Sequence, residues 1–133
     1  MSSTSTATSL IATDTSSLVA YLSGESGEDV TQLQTAIEAD ALLMPPPVLS
    51  ELLSKPDVSQ IEALLANVPL MEIMDGFWDR AGRNRRVLRL QGLKAALADS
   101  LIAQCCIDAD VPLITRDRDY RHFERWCGLK LAG

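Results

Sequence analysis

The chain has 133 residues and a mass of 14.5 kDa, room for one domain with its own core and not for two. Apolar residues make up 47% and charged residues 23%, the balance of a folded globule, and no apolar run reaches the roughly eighteen residues of a membrane-spanning helix. Net charge is −6, unevenly spread: residues 1–79 carry twelve acids and one base (Lys55), residues 80–133 eleven bases and six acids. Such asymmetry gives either an acidic pocket beside a basic surface or two halves that attract each other in the fold. Local field rather than net charge steers a polyanion, so nucleic acid stays open as a partner.

In chain order, the polar opening MSSTSTATS lacks the basic and apolar blocks of a secretory signal and reads as a flexible arm over residues 1–8. A single domain is expected over residues 9–133. Ser9–Thr13 is a short strand-like run, and Asp14-Thr15-Ser16-Ser17 offers several N-caps for a helix through Leu22. Val30, Leu33, Ile37 and Ala41 keep helical spacing over residues 29–41, with Glu38 and Asp40 outside. Leu42-Leu43-Met44 reads as a buried strand, and the prolines that end it also suit the first turn of a helix over Pro47–Ser54.

A third helix is expected over Val58–Ala66, and Val68–Met74 is a strand or edge segment. Residues 76–91 show an apolar side (Phe77, Trp78, Ala81, Val87, Leu88) opposite arginines. Leu97–Ala109 predicts a buried helix, Pro112–Thr115 a strand, Tyr120–Trp126 a short helix and Leu129–Leu131 a last edge strand. Short apolar runs alternating with helical periods predict an α/β domain with a small, mainly parallel sheet of four to five strands flanked by helices. Cys105, Cys106 and Cys127 have no disulfide-framework spacing, which points to a reducing compartment and so to the cytoplasm.

Acidic residues at four places in the chain carry the functional argument. Asp14 follows the first strand, where ligands of open α/β sheets gather, although Asp is also an excellent helix cap. Glu51 lies in PVLSELLS, where a solvated glutamate is ordinary. Asp99 is the one charged residue between Leu97 and Ile107, a costly place for a carboxylate unless it is paired, binds a cation, or caps a helix starting at Ser100. Asp117 and Asp119 lie just past the strand PLIT, at a strand's carboxyl end or in a turn of alternating charges. Brought to one sheet edge, these carboxylates repel unless a cation neutralises them. An all-oxygen site suits Mg²⁺ or Mn²⁺ and not Zn²⁺.

TDTSSLVAYL, PPPVLSELLS, LADSLIAQ and PLITRDRDYRHF, in that order, resemble the PIN-domain ribonucleases, most closely the VapC-type toxins of toxin–antitoxin pairs. WDRAGRNRR and the length add to the likeness, which spans the chain after its N-terminal arm. The resemblance implies a three-layer PIN-like α/β sandwich. It also implies a metal-dependent endoribonuclease acting as the toxin of such a pair, a homodimer, and a cognate antitoxin that inserts a segment into the acidic groove. It places the acidic site on Asp14, Glu51, Asp99 and Asp117, the metal ligands on Asp14 and Asp99, and supporting hydroxyls on Ser16 and Thr115. Asp119, two residues further on, competes with Asp117 for the fourth place. Attack by water predicts 5′-phosphate and 3′-hydroxyl products, with Mg²⁺ as cofactor and Mn²⁺ able to substitute.

Two other readings stand beside this one: a catalytically silent binding module of the same fold, and a metal-dependent nuclease acting on DNA. Arg85 and Arg86 on the arginine helix, and Arg116 and Arg118 beside the acids, are candidates for phosphate contacts, with a solvated helix face as the alternative for the first pair. His122, the only histidine, reads as a surface or packing residue, and no glycine-rich phosphate loop occurs.

Overall fold

A computed structural model describes residues 9–57 and 59–133. The expected arm over residues 1–8, and Val58 as a helix start, lie outside the described residues. β1 (Ile11–Thr13) runs into α1 (Thr15–Leu22) and α2 (Glu28–Glu38). β2 (Leu42–Leu43) runs into α3 (Pro46–Leu53), α4 (Ser59–Leu65), α5 (Phe77–Leu90) and α6 (Leu97–Ala109). β3 (Leu113–Ile114) and α7 (Tyr120–Cys127) close the chain. The sheet order is β2-β1-β3, all parallel, with Ile11 opposite Leu42 and Ala12 opposite Leu113.

Single parallel bridges, Met44 to Leu70 and Leu113 to Leu131, extend the sheet on both sides. The expected edge strands at 68–74 and 129–131 are therefore extended segments held at one point. Pro69 lacks an amide hydrogen and cannot donate to a longer ladder, which shortens the first of them.

Helix boundaries follow local chemistry. Asp14 caps α1 through its side chain, accepting from the Ser17 amide. Prolines occupy the first two positions of α3, where no amide partner is needed. α6 starts at Leu97, with Ala96 at its cap position, so Asp99 is the third residue of the helix and does not cap it. That removes the capping alternative for Asp99.

The core is one cluster that joins Ala12 of β1, Leu33 of α2, Leu52 of α3, Phe77 and Leu88 of α5, Ile102 and Cys106 of α6, and Phe123 of α7. α6 is not apolar all round. Ser100, Gln104 and Asp108 form a polar stripe: Ser100 donates to the Ala96 carbonyl, and towards α5 Asn84 donates to Gln104 Oε1 at 2.8 Å and Arg80 grips Asp108 with two N–H groups at 2.9 and 2.6 Å. Buried polar groups are tolerated here because they are paired.

Because β1 connects first to β2 on one side and the chain later returns to β3 on the other, the carboxyl ends of β1 and β3 flank a topological switch point, where open α/β sheets form their crevice. Asp14 follows one of these strands directly, and the loop bearing Asp117 follows the other.

Candidate metal centre

Asp14 lies at the floor of this crevice, 2% exposed. Its Oδ1 accepts from the Ser17 amide at 2.9 Å, and its Oδ2 accepts from Ser16 Oγ at 2.7 Å and Thr115 Oγ1 at 2.5 Å. Burial raises the Asp14 pKa above the ordinary carboxylate value; the three hydrogen bonds oppose that rise, and the nearby Asp117 charge adds to it. With both Oδ2 lone pairs committed, this carboxylate has only Oδ1 to offer a ligand. The cap reading of Asp14 holds, and its second oxygen is tied to Ser16 and Thr115 at the same time.

Thr115 links the two strand ends. Its hydroxyl donates to Asp14 and accepts from the Asp117 amide at 3.0 Å. Asp117 Oδ1 in turn accepts from the Asp119 amide at 2.9 Å, so the TRDRD segment turns back on itself. Asp119, the competitor for the fourth place, stands in the same group as Asp117. Asp99, Asp117 and Asp119 each bring a carboxylate oxygen within 4.8 Å of the others, all three half-buried.

Asp99 reaches the cluster from α6. Burial is the largest cause of its raised pKa, followed by the Asp117 charge, with smaller contributions from Asp119 and Asp14; a hydrogen bond from the Tyr120 hydroxyl at 3.3 Å opposes them. Tyr120 itself is almost wholly buried, and burial beside these acids pushes its pKa far up, so it is a fixed donor. Glu51 is not in that group of three; the Thr15 hydroxyl, one residue past Asp14, donates to its Oε1.

Lys94, in the segment before α6, places Nζ 3.3 Å from Asp119 Oδ2. Thr15, Tyr120 and Lys94 carried no sequence signal of their own. Each is ordinary in its segment and is set beside an acid only by the fold.

The donor set fits a hard cation. Oxygen ligands held close at partial burial suit Mg²⁺ or Mn²⁺. Burial, the leading cause for both thiols, pushes Cys105 up to about 12 and Cys106 well above its ordinary value, which opposes the thiolate form that a metal takes.

The arginines divide. Arg116 is turned from the phosphate role expected of it: Nε and Nη2 hold Asp29 at 2.8 and 3.2 Å, Nη1 holds Glu25 at 3.1 Å, and Nη2 also donates to the Ser26 carbonyl. Gly27 makes this clamp possible. Its φ is +149°, and a Cβ there would sit 2.6 Å from Asp29 Oδ1. Arg118 is exposed on the acid-bearing loop. Arg85 donates to the Ala95 carbonyl at 2.7 Å, while Arg86 stays exposed in a basic hollow of about 320 Å³ on α5.

This parallel α/β fold, with acids gathered at its switch point, is that of a PIN domain: the family's sequence profile matches residues 11–125, and the chain belongs to that family. No curated protein matches the sequence at a significant level.

Solved structures share the fold at low identity. VapBC2 from Rickettsia felis, bound to a DNA fragment from its promoter, superposes with a TM-score of 0.72 at 19% identity, covering 92% of this chain and 97% of that one. VapBC-1 from nontypeable Haemophilus influenzae gives 0.69 at 19% identity, with 92% and 96% covered. FitAcB from Neisseria gonorrhoeae gives 0.68 at 14% identity, with 93% and 97% covered. Among the described residues no helix is long and apolar enough to cross a membrane.

Proposed function

We propose that this PIN domain is a divalent-metal-dependent endoribonuclease and the toxin member of a toxin–antitoxin pair. The observation that carries the reading is the convergence of Asp99, Asp117 and Asp119 within 4.8 Å, above the buried Asp14. Crowding like charges is unfavourable in the absence of a ligand and is relieved by a hard cation. Asp99, Asp117 and Asp119 hold that cation, with Mg²⁺ as the natural occupant and Mn²⁺ a substitute, and Asp14 contributes Oδ1 or its charge. Bound there, a divalent ion supplies Lewis-acid activation of water and charge for the leaving oxygen.

The chain's own groups do the rest. Thr115 and Ser16 fix Asp14, Tyr120 fixes Asp99, and Thr15 orients Glu51, to which this reading gives the part of accepting or relaying a proton from water. Arg118 and Arg86 are free to meet backbone phosphates, and RNA is selected by loop shape rather than by a stacking platform, since aromatic residues are only 5% of the chain.

The antitoxin belongs on the groove of about 440 Å³ beside Glu51, walled by Ile73, Phe77, Trp78 and Leu97. Trp78 is 67% and Leu97 58% exposed, an apolar surface in want of a cover, and Glu72, Asp75 and Asp79, which neighbour Ile73 and Trp78 in sequence, favour a basic partner segment. We assign the active unit as a cytoplasmic homodimer on the same resemblance.

The deciding experiment is cleavage of a mixed-sequence RNA pool, with a single-stranded DNA pool beside it, in Mg²⁺, Mn²⁺ or EDTA. Cation-dependent cutting of RNA to 5′-phosphate and 3′-hydroxyl ends is the expected result. Cyclic phosphate ends or undiminished cutting in EDTA overturn the metal mechanism, equal cutting of DNA moves the substrate class, and no cutting leaves a binding module.

A further inference from the structure

The acid cluster carries one built-in positive charge. Lys94 Nζ lies 3.3 Å from Asp119 Oδ2 and, among the described residues, is the one cation in ion-pair contact with Asp99, Asp117 or Asp119. Its backbone is anchored on both sides. The Leu93 amide donates to the Leu88 carbonyl at 3.0 Å, and Arg85 Nε donates to the Ala95 carbonyl at 2.7 Å, with the Ala95 side chain buried.

An anchored backbone under a 71% exposed side chain leaves the ammonium free to swing while its root stays fixed. An exposed ion pair of this kind contributes little to stability, so the contact needs no structural purpose. The neighbouring Arg116, which the charge pattern also places here, has its donors committed to Asp29 and Glu25.

We infer that Lys94 is the phosphate-holding residue of the site: its ammonium leaves Asp119 when a cation arrives and meets a non-bridging oxygen of the scissile phosphate, so that one divalent cation per chain suffices. This rests on the nuclease reading above. A lysine charge that stands over the acids in the free protein competes with the cation and then serves the substrate, and these two roles have opposite signatures. Removing the charge strengthens cation binding and weakens the hold on phosphate. A lysine that merely screens the acids would show the first effect without the second.

The test compares wild type, Lys94→Gln and Lys94→Arg. Mn²⁺ is titrated calorimetrically without RNA, binding of a cleavage-resistant single-stranded RNA is measured in saturating Mn²⁺, and cleavage is measured in saturating Mg²⁺. The expected result is one Mn²⁺ per wild-type chain, equal or tighter Mn²⁺ binding in Lys94→Gln, weaker RNA binding, and cleavage reduced roughly ten- to a hundredfold, the scale of one charge-assisted contact, with Lys94→Arg recovering part of it.

Tighter Mn²⁺ with undiminished RNA binding and cleavage in Lys94→Gln overturns the assignment in favour of screening, and two Mn²⁺ per wild-type chain overturns the single-cation claim. Wild type that does not cut RNA sinks the nuclease reading and this inference with it, whereas wild type that cuts as fast as Lys94→Gln sinks the inference alone.

Discussion

At the scale of single residues, the acids are held by hydroxyls from Ser16, Thr15, Tyr120 and Thr115. Thr115 is the plainest case, donating to Asp14 and accepting from the Asp117 amide. Thr115→Val keeps the shape and removes both bonds. It is expected to cost about 1–3 kcal/mol in chemical denaturation, because a buried carboxylate loses a donor it cannot replace; an unchanged midpoint would show that the Asp14 floor is held by Ser16 and Ser17 alone.

Asp99 behaves in the opposite sense. Its raised pKa records that folding without metal opposes its charge, so Asp99→Asn should unfold no more easily than wild type in EDTA while losing at least a hundredfold in Mg²⁺-dependent cleavage. The sequence made Asp99 conspicuous, since a lone carboxylate among apolar neighbours stands out. It was silent about Tyr120, whose role depends on a hydrogen bond across 21 residues.

Among the elements, the α5–α6 contact is fastened by an ion pair formed within the basic half of the chain. Arg80 holds Asp108 across it, and the guanidinium, through its hydrogen bonds, is the main reason that the Asp108 pKa lies below the ordinary 3.8. A lowered folded-state pKa means the unfolded chain binds the extra proton. The stabilisation is therefore full above the unfolded value and is lost as pH falls through the folded one. Urea midpoints measured from pH 2 to 6 should show a shallower acid limb in Asp108→Asn than in wild type, with a lower plateau at neutral pH. A parallel pair of curves would place the acid limb elsewhere, for instance on Asp29 and its Arg116 clamp.

Element types were legible because the helical periods are long and the caps are local: Asp14 before α1 and prolines opening α3. The sheet's edges were less so. Residues 68–74 and 129–131 have strand composition, yet each makes a single bridge, because edge pairing depends on what lies alongside.

For the whole molecule, the proposed centre ties fold to ligand. A cation that binds the folded chain through Asp99, Asp117 and Asp119, and not the unfolded one, raises stability by mass action. At a hundredfold excess over its Kd the gain is about 2.7 kcal/mol, or a rise of roughly 10 °C in the calorimetric Tm. Wild type should show that rise in Mn²⁺ against EDTA, and Asp99→Asn or Asp117→Asn should lose most of it; a rise that survives both substitutions locates the cation somewhere else.

The sequence by itself determined the class of fold, the helices and their caps, and the candidate acids, because each is written in near neighbours: periodicity, a capping side chain, a charge in an apolar run. Only the tertiary structure brought Asp99, Asp117 and Asp119 together, paired Arg116 with Asp29, and set Lys94 beside Asp119. Those facts depend on parallel strands bringing residues 14 and 115 side by side, a separation that no local pattern encodes.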